Sequence, residues 1–438
     1  MKFNNKKKNK PTGLIITISV LIILLVGAGA FVLADQFFTN EKATVETNDK
    51  TETVEKAEQE QKNDNNATEK AEDNNEKQDI VEETFIDIQI SAVGDVMAHT
   101  NQLVAARNNP EGAYNFESVF DDVKPYIENA DLALANLETT LAGESIEYSG
   151  YPLFNAPDAL ADALLYAGFD TIVTANNHSL DTRAEGLRRT AEVIEEKGMD
   201  AVGTYKSASE SDQRFLIKDV KGIKVAIMGY TEHLNGLDSQ YSAEEIDSMV
   251  NTIDEEQMTT DIEAIKAQNP DIIVAYMHWG EEYTRDPNTV QKKNAEFLAS
   301  QGVDIIFGSH PHVIHEAEYI KSEANETFVS YSMGNFVSNQ RTETLGEGMA
   351  PTEDGVIVNV DVEKNEQTGE TRVKNVSFVP TWVYRHSDTN SAPYTYKILP
   401  IEKALEDENV SEKYKERMKK SYQETVDRIN MPSSNSKE

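Results

Sequence analysis

Side chains that can bind metals or move protons follow directly after five short apolar runs of the sequence. They are Asp95, Asn136, Glu138, Asn177, His178, His278, His310 and His312. Carboxylates, carboxamides and imidazoles are oxygen and nitrogen ligands of divalent transition metals, and imidazole also transfers protons near neutral pH. The recurrence of these groups at corresponding positions predicts one shared site.

Each stretch has a plainer interpretation when it is taken alone. Asn and Asp favour turns, so TANNHSLD at residues 174–181 could be a turn whose Asp181 caps the next helix. The placement of histidines favours a site, because five of the eight, including His99, fall in these loops. The strongest stretch is GSHPHV at residues 308–313, whose two histidines flank Pro311.

The elements that must position these residues alternate between short β-rich runs and amphipathic runs. The predicted strands are IDIQISAVGD, DLALANLE, TIVTANNH, KVAIMGY, IIVAYMHWG and IIFGSHPHV, and the predicted helices are ESVFDDVKPYIENA, PDALADALLYAGFD, GLRRTAEVIEEKGMD and VQKKNAEFLASQGVD. The repeated order of strand and helix predicts an α/β fold with helices covering a central sheet. Strand ends on one edge of such a sheet converge, so we expect the polar residues to lie together.

The first residues of the chain predict a membrane segment. Five lysines precede GLIITISVLIILLVGAGAFVLA, an uncharged apolar run of 22 residues at 13–34. At about 1.5 Å per residue, a helix of this length crosses a hydrocarbon core of about 30 Å. Lysines before the run and acids after it predict a single-pass cell-membrane protein with an extracytoplasmic C-terminal domain. A cleaved signal peptide is the alternative, since Val32-Leu33-Ala34 resembles a cleavage site.

The charge of the chain disfavours one class of partner. Residues 35–84 hold sixteen acidic residues against six lysines and few apolar ones, so we expect a disordered linker there. The whole sequence has a formal net charge of −36, which disfavours binding of nucleic acid or any other polyanion. It contains no cysteine, so no disulfide framework can form.

Taken together, the polar stretches resemble the capsule synthesis protein CapA family, called PgsA in poly-γ-glutamate producers and related to the calcineurin-like metallophosphoesterases. The stretches that carry the resemblance are GDVM, NLETTL, FNAPDALADALLYAGFDTIVTANNHSLD, HWGEEYTRDPNTVQ, GSHPHV and SMGNFV, which span residues 94–337. The resemblance implies a two-layered β sandwich flanked by helices, with metal ligands on loops at one edge. One membrane anchor ahead of the domain is also similar to CapA proteins.

The resemblance implies roles for individual residues. The implied metal ligands are Asp95, Glu138, Asn177, His278, His310 and His312, the implied leaving-group residue is His178, and the residues implied to support the ligands or face the substrate are Asn136, Asp181, Glu282 and Asn335. Asp181 either orients His178 or only caps a helix, and the cap is favoured. The mixed nitrogen and oxygen donors suit one or two divalent ions of Mn, Fe or Zn more than Ca.

The sequence departs from metallophosphoesterases at the first motif. Those enzymes usually begin Asp-x-His, whereas Asp95 is followed two residues later by Met97. No Gly-Asp-x-x-Asp is present, and Glu138 in NLE takes that bridging place. One metal position therefore lacks an imidazole. Either His99 supplies that imidazole, or His99 is an ordinary surface residue of the loop.

The domain organisation follows from these segments. We expect a cytoplasmic N-terminus at 1–12, a transmembrane anchor at 13–34, an acidic linker at 35–84, a metallophosphoesterase-like domain at 85–400, and a C-terminal helix and tail at 401–438. Within them, KNEQTGETRVK predicts a hairpin and SEKYKERMKKSYQETVDRIN an amphipathic packing helix.

Three hypotheses for function remain open. The first is a membrane-anchored accessory of poly-γ-glutamate capsule biosynthesis, acting in polymer assembly, export or anchoring with other membrane proteins of the polyglutamate synthase complex. The second is a cell-envelope metal-dependent phosphoesterase, and the third is a non-catalytic scaffold with a structural metal. The sequence has no Gly-x-x-x-x-Gly-Lys-Ser/Thr motif, so we do not expect the chain itself to drive amide ligation with ATP.

Overall fold

Two β-sheets packed face to face lie at the centre of the protein, in a computed structural model that describes residues 83–389 and 393–429. The strands are β1 (Phe85–Val96), β2 (Leu132–Leu137), β3 (Thr171–Val173), β4 (Asp200–Val202), β5 (Leu216–Val220), β6 (Ile223–Thr231), β7 (Ile272–His278), β8 (Ile305–Ser309), β9 (Ala317–Lys321), β10 (Glu326–Ser330), β11 (Asn335–Val337), β12 (Asp354–Asn365), β13 (Thr371–His386) and β14 (Thr395–Pro400).

Helices connect the strands and cover the outer faces of the sheets. They are α1 (Thr100–Ala106), α2 (Glu117–Phe120), α3 (Lys124–Ile127), α4 (Ala159–Ala167), α5 (Arg183–Glu196), α6 (Ala243–Asp247), α7 (Glu255–Ala267), α8 (Thr289–Ser300), α9 (Thr342–Leu345), α10 (Ile401–Glu406) and α11 (Glu412–Ile429). Short 3-10 turns occupy Leu237–Gln240 and Ala350–Glu353.

Both sheets are mixed. The first has the strand order β14-β13-β12-β1-β2-β3-β4, with β11 paired to the end of β1. Its strands β1 to β4 run parallel, and β12 to β14 are added in antiparallel pairs. The second sheet has the order β5-β6-β7-β8-β10-β9, with parallel strands inside and an antiparallel strand at each edge. Parallel strands joined through helices confirm the predicted α/β class.

Apolar side chains fill three spaces between these layers. Between the sheets lie residues such as Ile88, Ile90, Leu134, Val225, Ile227, Val274, Ile305 and Phe307. Outside the first sheet are Phe120, Leu160, Leu164 and Ile194, and outside the second are Met258, Ile262, Ala295 and Leu298. Because β2 and β7 are buried on both faces, their sequences are continuous apolar runs instead of alternating ones.

The C-terminal segment packs on the antiparallel part of the first sheet. Helix α11 places Met418 against Trp382 of β13, and its Arg417 forms ion pairs with Glu343 and the buried Glu353. The segment KNEQTGETRVK forms the turn between β12 and β13, as the sequence predicted. Residues 412–429 are therefore a packing helix.

One predicted helix is wrong as a single element. The stretch ESVFDDVKPYIENA forms two short helices, α2 and α3, separated by residues 121–123. Pro125 lies in the first turn of α3, where a backbone N–H has no partner within the helix, so its absence costs nothing. Inside a longer helix, the proline would remove a backbone hydrogen bond and its ring would clash with the preceding turn.

The prediction of a single-pass membrane protein is corrected by the described helices. Within residues 83–389 and 393–429, no helix is both long enough and apolar enough to cross a membrane. Helix α11 reaches 18 residues but carries charged side chains along its length, which are costly to bury in hydrocarbon. The run at 13–34, on which the predicted anchor and cell-membrane location rested, lies outside the described residues, as do residues 1–12 and 35–82.

The close crossing of β1 and the turn before β11 gives a first prediction. A Cβ on Gly94 would lie 1.9 Å from the backbone oxygen of Gly334, which accepts a hydrogen bond from the N–H of Asp95. We expect Gly94→Ala to lower the free energy of unfolding by about 1–3 kcal/mol because backbone must shift to admit the methyl group. Urea unfolding of the full chain measures this, and Val104→Ala, at an exposed position, is the control. Equal stability of the two variants would contradict the prediction.

A second prediction concerns pH and the buried Asp354 at the start of β12. Burial, together with the charge of Glu353, raises the pKa of Asp354 from its ordinary value of 3.8 to about 7. The folded state therefore holds this proton more tightly than the unfolded state, so the stability that it contributes at low pH is lost as pH rises through about 7. We expect Asp354→Asn to flatten the fall in the free energy of unfolding between about pH 4 and pH 7, the interval between the unfolded and folded pKa values. Parallel curves for the variant and the unmodified chain would rule this out.

Candidate metal centre

The ligand-type side chains lie on the ends of parallel strands from both sheets. In the first sheet, Asp95 near the end of β1 pairs with Asn136 of β2, and Glu138 follows β2 directly. In the second sheet, His278 at the end of β7 pairs with Ser309 at the end of β8. The packing of the sheets brings these residues, which are far apart in the sequence, into one buried cluster.

Glu138 lies at the centre of this cluster. Its side chain is fully buried, and neither carboxylate oxygen has a hydrogen-bond partner among the residues that the structure describes. Oε1 lies 3.7 Å from Nε2 of His278 and 3.7 Å from Nε2 of His312. Burial raises the pKa of Glu138 well above its ordinary value, and the charge of Asp95 raises it further. A carboxylate in this setting requires a positive charge or a proton.

Two groups of potential ligands share Glu138. One consists of Glu138, His278 and His310, the other of Asp95, Glu138 and His312, and the candidate atoms of each group lie within 4.8 Å of one another. Asn177 joins the first group, because its Oδ1 lies 2.9 Å from Nε2 of His278. All six residues that the resemblance implied as ligands therefore lie in the cluster.

The imidazoles of the first group are held neutral. Burial, together with the charges of nearby histidines, lowers the pKa of His278 well below its ordinary value and that of His310 to about 3. Nε2 of His278 faces Nδ1 of His310 at 3.1 Å. On its other side, Nδ1 of His278 lies 2.9 Å from Oγ of Ser309. A proton on Nδ1 would be donated to Ser309, which leaves the Nε2 lone pair for a cation.

Asp95 is held in its ionised form. Burial by itself would raise its pKa, but hydrogen bonds from His312 and Asn136 keep the pKa of this carboxyl below its ordinary value. Its Oδ2 lies 3.0 Å from Nδ1 of His312, and its Oδ1 accepts a hydrogen bond of 2.8 Å from Nδ2 of Asn136. Asn176 in turn donates to Oδ1 of Asn136 at 3.2 Å. This chain of amides fixes the direction in which the Asp95 carboxylate points.

The loop GSHPHV carries two of the imidazoles in an unusual backbone conformation. His310 has φ of 98° and His312 has φ of 58°, and non-glycine residues in such regions cost about 1–3 kcal/mol each and concentrate at functional sites. Contacts to the loop hold it in place. The N–H of Tyr283 donates to the carbonyl of Pro311 at 2.8 Å, and Nδ2 of Asn335 lies 3.4 Å from the carbonyl of His312.

His178 and Asp181 form a buried pair beside the ligands. Nδ1 of His178 lies 2.7 Å from Oδ2 of Asp181, and the same oxygen accepts a hydrogen bond from the N–H of Phe154. The ring of Phe154 packs edge-on against His178, with centroids 4.7 Å apart. The N-cap of α5 is Thr182, so the favoured interpretation of Asp181 as a helix cap is wrong. Burial raises the pKa of Asp181, while the contact with His178 opposes that rise.

Two other residues named from the sequence lie outside the ligand groups. Glu282 is exposed on the loop after β7, near enough that its charge contributes to the raised pKa of Glu138. His99 caps α1, and its Nδ1 accepts a hydrogen bond from the N–H of Asn339 at 3.2 Å. Its ring packs against Phe154 instead of Asp95. Among the described residues, His99 therefore belongs to neither ligand group.

Sequence reasoning missed contacts that matter for the geometry. His233 follows β6, and its Nε2 lies 3.2 Å from Nε2 of His310. The signal was present, because GYTEHLN follows an apolar run in the same way as the other site stretches. Ser309 and Asn176 were also missed, since a serine or an asparagine at a strand end has no distinctive pattern.

The donor set fits divalent transition metals. Imidazole nitrogens, carboxylate oxygens and one carboxamide, with no thiolate, match the preferences of Mn, Fe and Zn. Two ligand groups that share one carboxylate form the kind of arrangement in which two cations lie about 3.5–4 Å apart. The unpartnered oxygens of Glu138 provide the independent observation that a cation fits here.

Distant likenesses exist among solved structures. Calcineurin-like phosphoesterase YfkN from Bacillus subtilis aligns with 14% identity over 78% of this chain and 99% of that chain, with a TM-score of 0.41. The NAD nucleotidase NadN of Haemophilus influenzae aligns with 13% identity over 81% of this chain and 65% of that chain, also with a TM-score of 0.41. At these values, neither likeness transfers an activity.

Similarity to curated proteins is stronger. The PGA biosynthesis protein CapA of Bacillus subtilis (strain 168) is 29% identical over 287 residues, which are 65% of this chain and 70% of that protein. The capsule biosynthesis protein CapA of Bacillus anthracis is 28% identical over 351 residues, which are 75% of this chain and 80% of that protein. Both relatives are named for capsule polymer biosynthesis.

A family match covers the centre itself. Residues 89–340 match the family described as bacterial capsule synthesis protein PGA_cap. The matched segment is more than half of the 438 residues and contains every member of both ligand groups. The chain therefore belongs to the bacterial capsule synthesis protein family.

Proposed function

We propose that this protein is an accessory of poly-γ-glutamate capsule biosynthesis that works through a centre of two divalent cations. The names of the two relatives support the biological role. The observation that carries the metal centre is Glu138, a buried carboxylate shared by two ligand groups and without a hydrogen-bond partner among the described residues.

The residues divide the work of holding the cations. His278, His310 and Asn177 with Glu138 would hold one cation, and Asp95 and His312 with Glu138 would hold the other. Bound there, divalent cations would supply Lewis-acid chemistry, polarising a phosphoryl oxygen and activating a nucleophile at neutral pH. Mn, Fe and Zn all suit the donors. Because the second group has only three such residues on described parts of the chain, its affinity is expected to be the weaker one.

The pair of His178 and Asp181 favours catalysis over a structural role for the metals, and with it a metal-dependent phosphoesterase activity. Since Nδ1 of His178 is bonded to Asp181, Nε2 is the ring atom left to give a proton to a departing alkoxide oxygen. Asn177, the preceding residue, contacts His278 instead. Asn177 and His178 would thus act as neighbouring metal ligand and proton donor, an arrangement that suits hydrolysis of a phosphate ester.

Other proteins of the polyglutamate synthase complex are the proposed partners. The support is the name of the PGA biosynthesis relative together with the absence of an ATP-binding Gly-x-x-x-x-Gly-Lys-Ser/Thr motif from the sequence. A chain that does not itself activate glutamate would act on a polymer made by others.

Metal binding is the first test of this proposal. We expect the full chain to retain one or two transition-metal ions after loading with Mn or Zn, and the double variant His310→Ala with His312→Ala to lose most of them, because it removes an imidazole from each group. Elemental analysis after desalting measures the metal content. His386→Ala, at a histidine distant from the site in the sequence and bonded to Asp388, should keep the full content. A folded, unmodified chain that stays metal-free after loading would refute the centre.

The role of His178 separates an enzyme from a scaffold. We expect His178→Gln to keep metal content and thermal midpoint but to lose about 10²- to 10⁴-fold in hydrolysis of a phosphodiester probe, since proton transfer to the leaving group is removed. His278→Ala should lose both metal and activity. Poly-γ-glutamate yield in cells is measured for the same variants. Full activity and full polymer yield in a metal-bound His178→Gln protein would leave the structural-metal scaffold as the better explanation.

A further inference from the structure

Nε2 of His310, a potential ligand of the first group, contacts a second histidine, His233. Nε2 of His310 lies 3.2 Å from Nε2 of His233, and the two rings meet nearly edge to face, with centroids 4.8 Å apart and an interplanar angle of 80°. The opposite nitrogen of His310, Nδ1, faces Nε2 of His278 at 3.1 Å. His310 is thus held between two imidazoles through its two ring nitrogens.

This arrangement determines where the protons must lie. A neutral imidazole has one N–H and one lone pair, and Nδ1 of His310, which faces Nε2 of His278, must present its lone pair to bind a cation. Nε2 of His310 then carries the proton, and the atom in line to accept it is Nε2 of His233. His233 in turn carries its own proton on Nδ1. Ligating histidines commonly donate their other N–H to a fixed acceptor, which sets the tautomer and ring orientation.

The backbone holds His233 in position although its side chain is exposed. Thr231 at the end of β6 pairs with His278 of β7, and the N–H of Glu232 donates to the carbonyl of His278 at 2.9 Å. The carbonyl of His233 accepts a hydrogen bond of 3.0 Å from Oγ1 of Thr231. The carboxylate of Glu232 accepts from the N–H of Gly280 at 2.8 Å. His233 is therefore tied to the same strand end that carries the ligand His278.

The other side of His233 is open to water. It lines a surface cavity of about 730 Å³ together with Glu232, Asp238 and Asp254. Its Nδ1 proton can therefore be solvated without a protein acceptor. The same loop also reaches a second ligand, because Nδ2 of Asn177 lies 3.4 Å from Oδ1 of Asn235, which turns Oδ1 of Asn177 toward His278.

We propose that His233 is a positioning residue of the centre, which accepts the Nε2 proton of His310 and so directs the Nδ1 lone pair of His310 toward the cation shared with His278 and Glu138. This role rests on the proposed metal centre. Supporting residues of this kind typically change metal affinity by about 10- to 100-fold when they are removed.

Two substitutions in the full chain test the role. His233→Leu keeps the bulk but cannot accept the proton, whereas His233→Gln can place an amide oxygen near the position of Nε2. Co²⁺ affinity is measured by competition with a chelator, and the visible spectrum of bound Co²⁺ reports its ligand geometry. We expect His233→Leu to weaken binding of one Co²⁺ ion by about 10- to 100-fold with an altered spectrum, and His233→Gln to restore most of both. His386→Leu is the matched control and should resemble the unmodified chain.

The outcomes separate this inference from the proposed function. If His233→Leu binds Co²⁺ as tightly as the unmodified protein does and gives the same spectrum, the positioning role is overturned. The metal centre is not affected by that result. Equal loss in His233→Leu and His233→Gln, at unchanged thermal midpoint, means that His233 ligates the ion itself, which also overturns the positioning role. An unmodified chain that binds no Co²⁺ overturns the centre and the inference together.

Discussion

A buried carboxylate that has no hydrogen-bond partner within residues 83–389 and 393–429 is the constraint on which the proposed centre depends. Oε1 of Glu138 lies 3.7 Å from Nε2 of His278, and burial lowers the pKa of His278 and of the neighbouring His310. These two rings are therefore neutral and cannot balance its charge. Asp95 beside it is held ionised and adds repulsion. Either a proton or a cation must neutralise Glu138, and a cation would displace the proton because ligands bind metals in their deprotonated form. Cation binding at the proposed centre would therefore be coupled to proton release.

The packing of the two sheets brings potential cation ligands to Glu138. Ligands come from β1 and β2 in one sheet and from β7 and β8 in the other, so neither sheet alone contains either complete ligand group. Close backbone contacts set the distance between them. Gly94 has no room for a Cβ because the turn at Gly334 passes against it, and the next residue is Asp95. The packing of the apolar layers between the sheets thus determines the distances between the polar side chains at the strand ends.

Hydrogen bonds to the ring nitrogens orient each imidazole around the proposed centre. Ser309 takes the outer nitrogen of His278, and His233 takes that of His310. Asp181 takes Nδ1 of His178, which belongs to no ligand group. The carboxylate of Asp181 stabilises the protonated form of His178, but Nδ1 of the candidate ligand His312 also lies against a carboxylate, that of Asp95. The position of a ring relative to the ligand groups, and not its acceptor alone, therefore distinguishes His178 from the candidate ligands.

The sequence by itself determined the fold class and the chemical types at the site. Apolar runs followed by Asp95, Glu138, Asn177, His278 and GSHPHV are local patterns, and local patterns predict strands, their ends and the groups that those ends carry. They also misled in three places. A helix through Pro125 broke into two, and Asp181 bonded to His178 instead of capping α5. The predicted single-pass membrane protein was the third, since no helix among the described residues can cross a membrane.

Only the tertiary structure decided which atoms oppose one another. Three contacts depend on strand register and on the packing of the two sheets. Glu138 is shared between the two ligand groups, His99 packs on Phe154 and not on Asp95, and His233 contacts His310. A sequence pattern specifies backbone conformation over a few residues and the chemical type of each group. Contacts between strand ends many residues apart arise from the burial of the apolar layers, whose geometry no short stretch of sequence contains.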